Sequence, residues 1–233
     1  MHVNEKERFV ILEGSGLDQD PYLIHYYKVS FDGQQFTDLT PEYAQHRATF
    51  SKDFRYFVDT YSRVDLPQVT VLRDANTGEV LMEVEKADIT ALKKAGWRQS
   101  EVFSAKGRDG VTDIWGIITF PTHYDPKKKY PVIENIYAGP HSAFVPKTFS
   151  ANPAWMGELA ELGFIVVQID GMGTSNRSKA FHDVAWKNLK DAGFPDRIAW
   201  MKAAAKKFPS MDITKVGIYG TSAGGQNAAG ALI

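Results

Sequence analysis

The sequence predicts two bodies of different class: a β-rich segment of repeated, blade-like hairpins, then an α/β segment whose strands alternate with helices. Three observations carry this. Short runs of branched and aromatic residues punctuated by Gly, Asp and Pro fill the first 85 residues. A turn-and-strand pattern recurs about 45 residues apart, the period of a propeller blade. Beyond residue 98, apolar strands alternate with helical periodicity, which argues a parallel, helix-covered sheet.

In chain order, Phe9–Leu12 and Tyr22–Tyr27 read as strands, and Ser30-Phe31-Asp32-Gly33-Gln34 as a tight hairpin, because Asp-Gly accepts positive φ. Phe50–Val58 is a turn leading into a strand. Val69–Arg73 and Val80–Met82 flank a second turn, Asp74–Gly78. Two similar hairpins on one small sheet would give the same pattern, but the spacing favours blades. Two blades cannot close a ring of four or more, so the segment reads as the end of a propeller. Ala87, Ile89, Leu92 and Lys93 then recur at helical spacing, and Gly96 stops them as a C′ glycine would. The expected organisation is therefore blades over 1–86, a helical connector over 87–97, and the α/β segment over 98–233.

Within that last segment, Glu101–Ser104 and Asp113–Phe120 form a strand pair around Gly107–Gly110. Pro131–Tyr137 is a third strand and Phe164–Asp170 an almost wholly apolar fourth. Helices are expected over Ala154–Leu162, over much of Asp183–Lys207, and from Ala223 onward, with a short strand at Lys215–Tyr219.

Composition narrows the function classes. A chain of 233 residues with 43% hydrophobic residues can build a core. It has no cysteine, so disulfide scaffolds and thiolate metal sites are excluded. No apolar run approaches the ~20 residues of a membrane-spanning helix. The net charge of −1 conceals 9 basic and 16 acidic side chains up to Asp88, against 18 basic and 12 acidic beyond it. The basic half has no aromatic-interleaved Arg cluster, so nucleic-acid binding is not expected. No ligand spacing such as H-E-x-x-H is present, and neither a metal nor an organic cofactor is implied.

The chemically informative stretch is Gly220-Thr221-Ser222-Ala223-Gly224. A lone G-x-S-x-G is weak, but here it follows a predicted strand and opens a predicted helix, the context of a nucleophile elbow. The turn strains the serine backbone and leaves no room for side chains on Gly220 and Gly224. Ser222 is then held where the following helix's N-terminal amides can stabilise an oxyanion, the Ala223 N–H first among them. A glycine-rich helix start could instead pack closely or cradle a phosphate. No G-K-[ST] follows, and Gly171-Met172-Gly173 has Asn176 where a dinucleotide fingerprint needs its third glycine. Tyr137, at the end of its strand, can donate a second hydrogen bond to an oxyanion, or it can simply cap the strand.

Asp113–Pro121, Lys127–Val132, Tyr137-Ala138-Gly139-Pro140, Asp170-Gly171-Met172-Gly173 and Gly220–Gly225 together resemble the prolyl oligopeptidase family, most closely its dipeptidyl peptidase IV branch. The order and spacing of these motifs agree over roughly Val102 to Ile233, and Tyr56-Phe57-Val58 onward resembles a last blade. The resemblance implies a β-propeller capping an α/β-hydrolase domain, and a serine peptidase that cleaves peptides, often after proline. It implies Ser222 as nucleophile, with Tyr137 and the Ala223 amide at the oxyanion. Homodimers and a secreted or periplasmic home are implied on the same footing. Members often carry Trp and Tyr beside the serine, where this chain has Thr221 and Ala223, which puts the subsite shape in question.

The triad acid and histidine of such an enzyme follow its serine along the chain. Ala223 to Ile233 contains neither. Upstream, His123, His141 and His182 have no spacing that marks a base. The expectation is a fragment, inactive by itself, of a longer peptidase. An esterase on the same fold, or a non-catalytic binding protein with a degenerate hydrolase domain, are the alternatives.

Overall fold

The computed structural model describes residues 2–233, which fall into two compact units. The first comprises the chain up to Ile89 together with Lys147–Ser150, and the second Thr90–Pro146 with Ala151–Ile233.

The first unit holds two four-stranded antiparallel meanders of the kind that form propeller blades. One is β1 (His2–Asn4), β2 (Phe9–Gly14), β3 (His25–Ser30) and β4 (Phe36–Asp38); the other is β5 (Gln45–Phe50), β6 (Tyr56–Arg63), β7 (Leu66–Asp74) and β8 (Val80–Lys86). Both run in sequence order, each strand pairing with the next. The β3–β4 hairpin turns at Asp32-Gly33. Gly33 has φ 72°, and the Asp32 carboxylate accepts the Ser30 hydroxyl at 2.6 Å and the Gln34 amide at 3.1 Å. The β5–β6 turn repeats this device with Ser51 and Asp53, although Phe54 rather than glycine takes the positive φ.

One strand begins later than its sequence suggests. Tyr22 and Leu23 lie in a turn held by Asp20, whose carboxylate accepts the Tyr22 amide and whose carbonyl accepts that of Leu23, so pairing starts at His25. Phe9, Ile11, Leu39, Phe57 and Ala75 form the apolar core of this unit. Beside it lies a buried polar cluster. His46 donates Nδ1–H to Asp59 at 2.9 Å, and Arg73 reaches Asp59 at 3.0 Å and Glu42 at 2.5 Å. Glu42, His46 and Asp59 are close enough to hold a cation, and the Arg73 guanidinium already supplies that charge. Burial would raise the Glu42 carboxyl, but the Arg73 hydrogen bond and charge outweigh it and hold the group below the usual range.

The second unit is built on a five-stranded sheet in the order β13-β11-β12-β10-β9. Its strands are β9 (Glu101–Lys106), β10 (Asp113–Thr119), β11 (Tyr130–Asn135), β12 (Ile165–Asp170) and β13 (Met211–Tyr219). The expectation of a parallel-rich sheet needs correction here. β11 runs parallel to both β12 and β13, whereas β10 is antiparallel to β9 and β12, so the sheet is mixed. The tight turn at Gly107–Gly110 forces the first pair to be antiparallel, because a parallel connection needs a crossover. All six residues of β12 are buried, as its unbroken apolar run requires.

Among the described residues, these strands are accompanied by the α-helices α1 (Thr90–Lys94), α2 (Gly157–Glu161), α3 (Lys179–Asp183), α4 (Phe194–Lys207) and α5 (Ala223–Gly230). α1 closes with a Schellman motif: the Trp97 amide reaches the Leu92 carbonyl, the Gly96 amide reaches that of Lys93, and Gly96 has φ 84°. The long helix expected from Asp183 begins only at Phe194, since Gly193 is left-handed and Pro195 fits the first helical turn but not an interior. α4 presents Arg197, Trp200, Met201 and Ala204, spaced three to four apart, to the core. Trp200 packs where Gly116 of β10 has no side chain; a Cβ there would lie 2.7 Å from the indole.

Arg197 pairs with Glu134 of β11 at 2.6 Å, with both side chains at most 3% exposed. Arg197→Met should destabilise the protein by about 3–5 kcal/mol, because Glu134 is left as an uncompensated buried charge. Urea unfolding should show Arg197→Met/Glu134→Leu to be milder than the single change.

Candidate active site

Strand β13 ends at Tyr219 and helix α5 starts at Ala223, so the chain reverses from strand to helix within three residues. Ser222 sits at the reversal with φ 56° and ψ −122°, a conformation almost closed to residues with a side chain. Space explains the flanking glycines. A Cβ on Gly220 would collide with the Ile136 carbonyl oxygen and lie 2.5 Å from the backbone carbonyl of Gly224; one on Gly224 would collide with the same Ile136 oxygen. The helix start is thus jammed against the end of β11, and Ser222 is exposed at its tip.

Ser222 is the N-cap of α5, and Ala223 is its first helical residue. An amide at that position has no intrahelical acceptor and is free to bind an anion beside the serine. Tyr137 lies two residues beyond β11. Its ring is 3.5 Å from the point where Gly224 would carry a Cβ, so the tyrosine packs against the first turn of α5, which Ser222 caps. Phe144 packs on the tyrosine ring with centroids 4.2 Å apart, and His141 meets it edge-on at 5.8 Å.

The residues after Tyr137 are pinned from several sides. The Phe144 and Val145 amides donate to the buried Asp170 carboxylate at 3.0 Å, which gives the first residue of Asp170-Gly171-Met172-Gly173 a bracing role. His182, which lies within α3 rather than ahead of it, donates Nε2–H to the Pro140 carbonyl at 2.8 Å. Next to the tyrosine is an open cavity of about 860 Å³, walled by Tyr137, Phe144, Trp155, Gln168 and Thr221. Gln168 is 6% exposed, and its Oε1 has no hydrogen-bond partner among the described residues.

The geometry puts a strained serine beside a helix-terminal amide, with the Tyr137 ring against the same helix turn, an arrangement that suits nucleophilic attack on a carbonyl with stabilisation of the resulting oxyanion. It does not bring a base to the serine. Among the described residues no side chain is hydrogen-bonded to the Ser222 hydroxyl; His141 lies against the tyrosine, and His182 is committed to Pro140. The motif residues were legible in sequence. The braces Asp170 and His182 had no assigned role there, since their partners are backbone groups far away in the chain.

A serine at positive φ between strand and helix, on a helix-backed mixed sheet, defines the nucleophile-elbow class of sites. Residues 147–233 match the prolyl oligopeptidase family, and residues 1–68 match the dipeptidyl peptidase IV N-terminal region. The chain therefore carries segments similar to both. Dipeptidyl peptidase 8 of Homo sapiens is 28% identical over 97% of this chain and 26% of its own length. A "Probable dipeptidyl-aminopeptidase B" of Aspergillus fumigatus is 32% identical over 90% of this chain and 23% of its own length. The crystal structure of Porphyromonas gingivalis dipeptidyl peptidase 4 superposes with a TM-score of 0.79 at 26% identity, covering 97% of this chain and 32% of that one. The chain spans about a quarter of the length of these curated relatives.

Proposed function

We propose that the protein is a serine peptidase that releases N-terminal dipeptides, with preference for proline as the second residue, through an acyl-enzyme on Ser222. The observation that carries this reading is the strained Ser222 backbone between Gly220 and Gly224. The names of the relatives supply the substrate class, a peptide with a free amino terminus. On this reading residues 1–86 are the last blades of a β-propeller, 87–97 a connector, and 98–233 the first part of an α/β-hydrolase domain. A homodimer is part of the same proposal.

The Ser222 hydroxyl adds to the scissile carbonyl while its proton passes to a general base. The Ala223 amide and the Tyr137 hydroxyl donate to the oxyanion. Collapse expels the amine, which takes that proton, and leaves an ester on Ser222; water then cleaves the ester and frees the dipeptide. The reading assigns the base and its orienting acid to residues other than these 233, so the isolated chain should be inactive.

The test uses protein expressed from its complete reading frame and Gly-Pro-p-nitroanilide. Release of nitroaniline is expected, with N-acetylation of the glycine abolishing it. Equal cleavage of the acetylated substrate would replace dipeptide release by an endopeptidase reading. Turnover confined to aryl esters would make the protein an esterase, and none at all would favour a binding protein.

A further inference from the structure

We propose that Asn227 is a positioning residue for the oxyanion site: its side-chain amide ties the Tyr137 loop to the helix that bears Ser222. The proposal rests on the serine-peptidase reading above. The contact of Gly220 and Gly224 with Ile136 sets how closely α5 approaches the end of β11. That contact acts on the residue before Tyr137; after it, the loop is held at the Tyr137 carbonyl by a 3.5 Å bond from Arg197 and at Pro140 by His182. Asn227 is three residues past Gly224, on the same face of α5. Its Oδ1 accepts the Ala138 amide at 3.0 Å, the residue immediately after Tyr137. Tyr137 is therefore bracketed, by a steric stop on one side and a hydrogen bond on the other, and both anchors belong to the helix of Ser222.

An oxyanion donor contributes only when it sits within hydrogen-bond distance of the oxygen that becomes charged, and a displacement of about 1 Å can cost about 100-fold in rate. Binding of the ground-state peptide depends far less on this loop. Loss of the Asn227 bond should therefore lower kcat and leave KM nearly unchanged.

The test is a double-mutant cycle of Asn227→Ala and Tyr137→Phe in protein expressed from its complete reading frame, assayed with Gly-Pro-p-nitroanilide. Alanine suits this helix, which already carries Ala228 and Ala229. Asn227→Ala alone should lower kcat about 10- to 100-fold, with KM within about threefold. In the Tyr137→Phe background the same change should cost less than about threefold, because the hydroxyl it positions is already gone. Multiplicative effects in the cycle would overturn the proposal, as would an unaltered kcat in the single variant. Should the alanine variant unfold early, Asn227→Ser, which is too short to reach Ala138, repeats the cycle. The underlying reading is checked separately on the unmutated protein: if it does not turn over the substrate, the peptidase reading itself fails. Turnover with an indifferent Asn227 overturns only the positioning role.

Discussion

Ser222→Ala, made in protein expressed from its complete reading frame, should lower kcat for a proline substrate by about 10⁶-fold, the scale seen when a catalytic serine is removed. Alanine retains a Cβ, so the backbone strain at φ 56° is unrelieved and the unfolding midpoint should barely move. Ser222→Gly should be equally inactive yet more stable by about 1 kcal/mol, because glycine populates this region without penalty. A fold that gains stability on losing its reactive group holds strain for that group's sake. Paired activity and urea-unfolding measurements on the two variants would show it. Equal stability of the alanine and glycine proteins would mean that the turn is not strained.

Gly224→Ala should cost both stability and activity. The added methyl would collide with the Ile136 carbonyl oxygen, which is backbone at the end of a paired strand and cannot rotate away as a side chain could. Overpacking of this kind costs about 1–3 kcal/mol or more. The strand and helix must part to admit the methyl, which moves Ser222 and the Ala223 amide away from Tyr137 and should lower kcat by at least about 100-fold. Gly230, near the end of the same helix, has nothing within 4 Å of its would-be Cβ. Gly230→Ala should instead stabilise the protein by about 0.5–1 kcal/mol from helix propensity alone, with activity unchanged. The contrast between two glycines of one helix separates close packing from propensity.

Much of this was legible in the sequence wherever the signal was local. Asp32-Gly33 sets its own hairpin, Gly96 ends α1, and the apolar run in β12 announces burial on both faces. The strand–glycine–serine–glycine–helix pattern placed the elbow at Ser222 for the same reason: backbone sterics within five residues determine it. Features that depend on distant partners were not legible. The direction of β10 relative to β12 follows from sheet order, which no local run records. Gly193 and Pro195 delay α4 by redirecting a stretch whose periodicity still reads as helical. Asn227 looks like an ordinary polar helix residue until Ala138 is found against it.

The most direct measurement is mapping of a fluorophosphonate adduct by mass spectrometry on protein expressed from its complete reading frame. A fluorophosphonate reacts only with a serine whose hydroxyl is activated and whose oxyanion is stabilised. One adduct is expected, on Ser222, forming in step with loss of dipeptide release and slowed by Tyr137→Phe. Dipeptide release that persists with Ser222 unmodified, or an adduct on another serine that abolishes it, would contradict the assignment of this turn as the reactive centre.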